Sequence, residues 1–507
     1  MRDRPHLLVV IVDQLSALFL RAYGHSVTKT PVIDGLAERG VVFENAYCPS
    51  PLCGPARAVL TTGLLPSRSG VYDNAAELSS AVPTFAHVLR LQGYRTCMAG
   101  KMHFVGPDQL HGFEERLTAD IYPGDFAWTP DWSRPEERID WWYHNMSSVT
   151  QAGVAEITKQ LEYDDEVAFR AIRRVYDYAR YERDAPLLLC VSFTHPHDPY
   201  VARRRYWDLF VDEEIDPPAA SALPYDEMDP HGRRLWDGSA MDEVPITEAD
   251  VRAARRGYYA NLAYVDEKIG EVLTAFEACE LADDTVVVFL SDHGEFLGEH
   301  GLFYKMSFRE HPARVPLIVH APARHAPHRI RQPVSLADLT PTLADLARPG
   351  LSEQLPRPVD GRSLLPLVEG GAEDAEATVL GEYLAECVAR PMVMIRRGRW
   401  KFIHTPGDPD QLFDLETDPL ELVNRAAAEE ALVGDFRAEV AARWDLDAIE
   451  AAVRQSQQGR LAIFQALRQG KREPWDYRPA ERAGYANSTM DVAERDRQSR
   501  FPPVPTS

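Results

Sequence analysis

The chain has 507 residues, is 45% apolar and carries a formal net charge of −23. That length exceeds one ordinary hydrophobic core and predicts a large α/β unit with smaller additions. The acidic balance excludes a general nucleic-acid binder, which needs a basic surface, but it leaves room for a small anionic substrate in a locally positive cleft.

The first apolar run, Leu7 to Val12, ends in Asp13. It is too short for a secretion-signal core or a membrane span. It reads as a strand buried on both faces of a parallel sheet. Asp13 and Gln14 then stand at its C-terminal end, where open α/β sheets place ligands. Next comes Cys53-Gly54-Pro55-Ala56-Arg57, continued by Ala58-Val59-Leu60-Thr61-Thr62-Gly63. The spacing predicts that a helix starts at the cysteine, with free N–H groups and a positive dipole end beside its side chain. Arg57, one turn on, is placed to return over Cys53 and clamp an oxyanion bidentately. Pro83 to Gly93 reads as a helix, and Tyr94 to Ala99 as a strand leading into Gly100-Lys101-Met102-His103. Phe104 to His144 is aperiodic and rich in Pro, Gly, Asp and aromatic residues, including Trp128, Trp141-Trp142-Tyr143 and His144. It serves either as an aromatic lid that holds a cation or as a satellite core under a long loop.

Ala155 to Arg183 reads as helix, and Pro186 to Phe193 as a buried strand that ends in Thr194-His195-Pro196-His197. Residues 201–250 are irregular and polar, followed by a helix from Glu248 to Glu277. Thr285 to Leu290 is a second fully apolar strand, ending in Ser291-Asp292-His293. Carboxylates at two strand ends, with adjacent Gln or His, can converge on one divalent cation. Arg314 to Val319 is a further strand, and Ser335 to Ala347 a helix. Pro, Gly and acidic residues at 350–375 mark a boundary, beyond which four short antiparallel strands lie between Thr378 and Leu415. Arg425 to Gly470 reads as helical and 471–507 as a polar tail. The predicted organisation is therefore an α/β domain over 1–375, with a large mixed, mostly parallel sheet between helices. A small-sheet and helix subdomain covers 376–470, and a polar tail 471–507. The six cysteines are dispersed, which suits a reducing cytoplasm.

The Cys-x-Pro-x-Arg…Thr-Gly stretch resembles the signature of the sulfatase family, within the alkaline-phosphatase superfamily. That resemblance implies conversion of Cys53 to formylglycine by a formylglycine-generating enzyme, with the hydrated aldehyde as nucleophile. It also implies one divalent metal (Ca²⁺, Mg²⁺ or Mn²⁺) on Asp13, Gln14, Cys53, Asp292 and His293. Many members have Asp-Asp where this chain has Asp13-Gln14. Arg57, Lys101 and Lys305 are then the sulfate-binding cations. His197, with His195 in reserve, is the acid facing the leaving group, and His103 the base that releases sulfate.

The Gly100-to-Thr118 stretch, Trp128-Thr129-Pro130-Asp131 and Asp140-Trp141-Trp142-Tyr143-His144-Asn145 are similar to the choline-sulfatase branch in particular. This implies choline-O-sulfate as substrate, with Trp128 as a cation–π residue and Asn74, His144 and Glu386 as substrate contacts. It also implies a C-terminal extension, in which Asp491 is the acidic candidate, packing on a neighbour in a homodimer or homotetramer. Two rivals stand beside hydrolysis of choline-O-sulfate. One is a phosphonate monoester or phosphodiester hydrolase with the same core. The other is a non-catalytic choline-ester binder in which Cys53 stays a thiol. No nucleic-acid or membrane partner is expected.

Overall fold

The computed structural model describes residues 4–321, 323–471 and 475–479. Its strands in chain order are β1 (His6–Asp13), β2 (Val41–Tyr47), β3 (Arg95–Gly100), β4 (Glu115–Arg116), β5 (Gly153–Val154), β6 (Leu187–Pro196), β7 (Val201–Ala202), β8 (Thr285–Ser291), β9 (Arg314–His320), β10 (His328–Ile330) and β11 (Val334–Ser335). A second group follows: β12 (Thr378–Tyr383), β13 (Met392–Arg397), β14 (Trp400–His404) and β15 (Gln411–Asp414). The central sheet runs β10-β2-β9-β8-β1-β6-β3-β4, with β11 also on β2. It is mixed and mostly parallel: β9 alone in this order runs against its neighbours β2 and β8.

The pleat explains why β1 is apolar without interruption. Leu8, Val10 and Val12 face one core with the long helices Lys159–Tyr181 and Glu248–Ala278. Leu7, Val9 and Ile11 face the other, against Cys53–Thr62, Phe85–Leu91 and Leu339–Ala347. Successive side chains of a strand alternate faces, so a strand covered on both sides has no polar position to spare. Four adjacent parallel strands, β8-β1-β6-β3, therefore bring their C-terminal ends together. Asp292, Asp13, the His195–His197 segment and Lys101 follow those ends.

The predicted small sheet is present as β12-β13-β14-β15, antiparallel throughout. The Glu430–Arg443 helix covers it through Val433, Phe436 and Val440. It docks on the main body where Glu382 N donates to the Pro49 carbonyl (2.8 Å).

Three expectations need correction. Residues 201–250 are not wholly irregular: Asp229 caps a helix over Pro230–Gly238, with Pro at its first turn. Strand β2 is absent from the sequence reading because Glu44 and Asn45 break its apolar run where the β2–β9 register shifts between Phe43 and Ala46. The C-terminal helical stretch is two helices, Glu430–Arg443 and Leu446–Leu467, separated by an extended Trp444 and the Asp445 cap. Of the tail, Trp475 packs edge-on against Phe126 of its own chain, and Asp476 accepts from Gly124 N (3.0 Å). Asp491 lies outside the described residues. Among the described residues no helix is long and apolar enough to cross a membrane.

Candidate active site

Cys53 begins the Cys53–Thr62 helix as predicted, after an extended Leu52, and is buried. Asn74 Oδ1 accepts the next helix N–H, that of Gly54, at 2.8 Å. Cys53 Sγ lies 3.1 Å from His293 Nε2 and 3.9 Å from Asp13 Oδ1. Burial pushes the thiol up, but Lys101, Lys305 and His293 outweigh it and hold the group well below the ordinary thiol value. Cys48, also buried and without such neighbours, is pushed well above it.

Arg57 has most of its donors committed within the protein. Its guanidinium is fully buried, with Nε donating to Asp292 Oδ2 (2.8 Å), Nη1 to Ser192 Oγ (2.8 Å) and to the Lys101 carbonyl, and Nη2 3.6 Å from Asp13 Oδ2. Nε and Nη1 are taken up by Asp292, Ser192 and the Lys101 carbonyl, while Nη2 is buried with no hydrogen-bond partner among the described residues and is the part of the fork left for an anion. The i+4 spacing placed it over the cysteine, but the long-range partners that take its donors are not legible locally. Gly100 makes room for this packing. Its φ is +103°, and a Cβ there would stand 1.8 Å from the Ser192 carbonyl oxygen.

Asp13, Cys53, Asp292 and His293 offer donor atoms that all lie within 4.8 Å of one another. Burial and then the facing Asp292 raise the Asp13 carboxyl. Against burial, Arg57 and His293 lower that of Asp292. Two crowded, buried carboxylates beside one imidazole make an oxygen-rich donor set that a divalent cation would relieve, so the residues fit a metal. Gln14 N donates to Asp292 Oδ1 (3.1 Å), and its side chain bridges to the next cluster. Oε1 accepts from Lys305 Nζ (2.6 Å), while Nε2 donates to Glu295 and, at 3.4 Å, to Asp198 Oδ1.

The cations stand around the cysteine. Lys101 Nζ is paired with Asp13 and lies 4.3 Å from the Tyr122 ring centre. Lys305 Nζ is 3.0 Å from His197 Nε2, whose ring carries Asp198 on its other nitrogen (Nδ1 to Asp198 O, 2.8 Å). His103 Nε2 meets the Asn74 carbonyl at 3.0 Å. The two strand-end histidines separate clearly. His197 lines the cavity at Cys53, whereas His195 is buried with Nδ1 on Asp164 (2.7 Å) and its ring edge-on to Tyr264.

That cavity encloses about 490 Å³, open solvent at its mouth included, and is lined by Cys53, Lys305 and His197. Trp128, Trp142, Tyr143, Tyr122, His144, Asn74 and Glu386 complete the wall. The Trp128 and Trp142 indoles are near-parallel with centres 6.3 Å apart, and Tyr122 lies 4.9 Å from Trp128. His144 stacks on Tyr304 (4.2 Å), and burial together with Lys305 lowers it to about 3, so it is a neutral ring. Burial, then the charge of Asp73, pushes the Glu386 carboxyl up to about 8. Its Oε2 is buried with no hydrogen-bond partner among the described residues. The nearby Glu382 is spent on structure: it accepts from Ser67 N and Oγ and from Trp444 Nε1, all within 2.8 Å.

The structure thus brings together the sequence-derived Cys53, Asn74, Trp128, His144, His197, Lys305 and Glu386. It adds Tyr122, Tyr143, Asp198 and Glu295. The first two sit in aperiodic loop, and the carboxylates are visible in sequence only as neighbours of His197 and Asp292-His293.

Comparison with known proteins gives a family match, "Sulfatase", over residues 5–349. Further matches are "N-sulphoglucosamine sulphohydrolase, C-terminal" over 298–441 and "Choline sulfatase enzyme C terminal" over 451–501. The chain is 50% identical to a choline-sulfatase of Rhizobium meliloti (strain 1021), across 98% of this chain and 99% of that protein. It is 31% identical to arylsulfatase K of Gallus gallus, across 84% and 79%. Among solved structures it resembles a phosphonate monoester hydrolase of Agrobacterium radiobacter, with TM-score 0.67, 26% identity, and 94% of this chain and 100% of that one covered.

Proposed function

The chain belongs to the sulfatase family, and on that premise we propose that it hydrolyses choline-O-sulfate to choline and sulfate. One observation carries the substrate assignment. The cavity that holds Cys53, Lys305 and His197 is also lined by aromatic rings and by a buried carboxylate whose Oε2 has no hydrogen-bond partner among the described residues. A quaternary ammonium has no N–H to donate, so ring faces and an unshared carboxylate are what it needs.

In this reading a formylglycine-generating enzyme converts Cys53 to formylglycine. The hydrated aldehyde supplies one hydroxyl as nucleophile, whose proton Asp292 accepts, and a second whose deprotonation re-forms the aldehyde as the C–O bond to sulfate breaks, splitting one hard step into two. Asp13, Gln14, Asp292 and His293 would hold one divalent cation (Ca²⁺, Mg²⁺ or Mn²⁺), which supplies Lewis-acid charge at the sulfuryl oxygens. Arg57 holds the two carboxylates in register for it. Lys305, with Lys101 behind, meets negative charge as it builds in the transition state. Once bound sulfate draws Lys305 Nζ off His197 Nε2, that nitrogen takes up a proton and delivers it to the leaving choline oxygen, with Asp198 steadying the ring. His103 takes the proton from the second hydroxyl. Trp128, Trp142 and Tyr143 face the trimethylammonium group with Glu386, and Asn74 and His144 complete the pocket.

The same reading takes 1–375 as the catalytic domain, 376–470 as the subdomain that brings Glu386, and the tail as an oligomer contact. Six free thiols, five of them buried, suit a cytoplasmic setting. The likeness to a phosphonate monoester hydrolase supports a second reading, a phosphonate or phosphodiester hydrolase built on the same Cys53, Lys305 and His197.

The test is sulfate release from choline-O-sulfate by protein matured with the generating enzyme, beside Cys53→Ala. The Cys53 peptide mass should show sulfur replaced by oxygen, and the variant should be inactive. An unconverted Cys53 in a fully active protein would overturn the mechanism.

A further inference from the structure

The Leu446–Leu467 helix touches no reacting group, yet one face of it reaches the substrate pocket at three places. Its buried residues Val453, Gln457 and Arg460 are spaced i, i+4, i+7, which is a single helix face. Arg460 Nη1 and Nη2 donate to Asp73 Oδ1 and Oδ2, both at 2.7 Å, and Nη1 also to Thr129 Oγ1 at 3.1 Å. Gln457 Oε1 accepts from Trp132 N (2.8 Å), and Trp132 Nε1 donates to the Ala385 carbonyl (2.7 Å). Asp73 precedes Asn74, Thr129 follows Trp128, and Ala385 precedes Glu386. Arg460 therefore holds the side chains of Asp73 and Thr129, and Gln457 holds Trp132, which in turn bonds the Ala385 carbonyl; each of Asp73, Thr129 and Ala385 is one residue from a residue of the cavity wall.

A buried guanidinium is suited to this. Its planar fork makes two parallel bonds to one carboxylate and keeps a direction for a third partner. Lysine can neutralise Asp73 but has no fork with which to fix Asp73 and Thr129 in one plane. We infer that Arg460 is a positioning residue for substrate selectivity: by tying the Asp73 turn to Thr129 it sets the separation of Asn74 from the Trp128 ring. The inference rests on the choline reading above and concerns the ammonium end of the substrate. Cys53, Lys305 and His197 have no contact with Arg460.

The experiment compares Arg460→Lys with wild type on choline-O-sulfate and on 4-nitrophenyl sulfate, which has no cation. KM for choline-O-sulfate should rise about tenfold with kcat within about threefold, while kcat/KM for the aryl ester stays within about threefold. Equal losses on both esters, or no change on either, would overturn it, because a purely structural tie would not discriminate between substrates. Should Arg460→Lys melt early, the double variant Asp73→Asn with Arg460→Met removes both buried charges together and is expected to fold. It should show the same selective loss, and retained choline selectivity would overturn the inference. Wild-type enzyme active on the aryl ester but not on choline-O-sulfate would instead overturn the substrate reading, before any variant is made.

Discussion

Glu386 gives the cation pocket a pH signature. Its carboxyl is raised to about 8, first by burial and then by Asp73. At pH 7 only about a tenth of the empty enzyme has it ionised, and ionising the rest costs about 1.4 kcal/mol, one pKa unit. A bound trimethylammonium group favours the carboxylate, so choline binding at pH 7 should release about 0.9 proton. Affinity should improve about tenfold between pH 7 and pH 9, then level off. The sign follows from the raised value. The protonated group stabilises the folded, ligand-free enzyme at low pH, and that contribution is lost as pH rises through about 8, where choline restores it. Calorimetry of choline binding in buffers of different ionisation enthalpy counts the protons directly. Glu386→Gln should bind choline more weakly at pH 9, with no proton release and a flat pH dependence. Proton release in the variant equal to wild type, or none in wild type, would refute the reasoning.

Three further outcomes follow from the site. His197→Ala should lower kcat for choline-O-sulfate by about 10²–10⁴, whereas His195→Ala, remote from the cavity, should lower it by less than about tenfold; steady-state kinetics separates the two. Arg57→Met takes the guanidinium from Asp292 and leaves Lys101 as the cation on Asp13; it should cost about 3–5 kcal/mol in a denaturant titration of metal-free protein. Removal of the metal by a chelator should abolish turnover and lower the melting temperature, both recovering on addition of a divalent cation.

Much of this arrangement is legible in the sequence, because the chemistry sits at the ends of strands that are apolar throughout. The runs before Asp13, Thr194 and Asp292 can only be doubly covered strands, and their ends meet wherever those strands are neighbours. The Cys53 helix start is equally local. What escapes the sequence is set by partners far along the chain. Arg57 reads as an anion clamp until Asp292, 235 residues away, claims its Nε. Tyr122 and Tyr143 have no periodicity to mark them, since their places come from loops held by Asp120, itself paired with Arg116, and by Arg138. Strand β2 fails as an apolar run because half-buried Glu44 and Asn45 interrupt it where the register shifts.

The most direct test of the central claim is kcat/KM for choline-O-sulfate beside an aryl phosphonate monoester, on protein matured with the formylglycine-generating enzyme. The account predicts a strong preference for choline-O-sulfate that collapses in Trp128→Ala and Glu386→Ala while turnover of the phosphonate persists. A preference for the phosphonate, untouched by those substitutions, would contradict it.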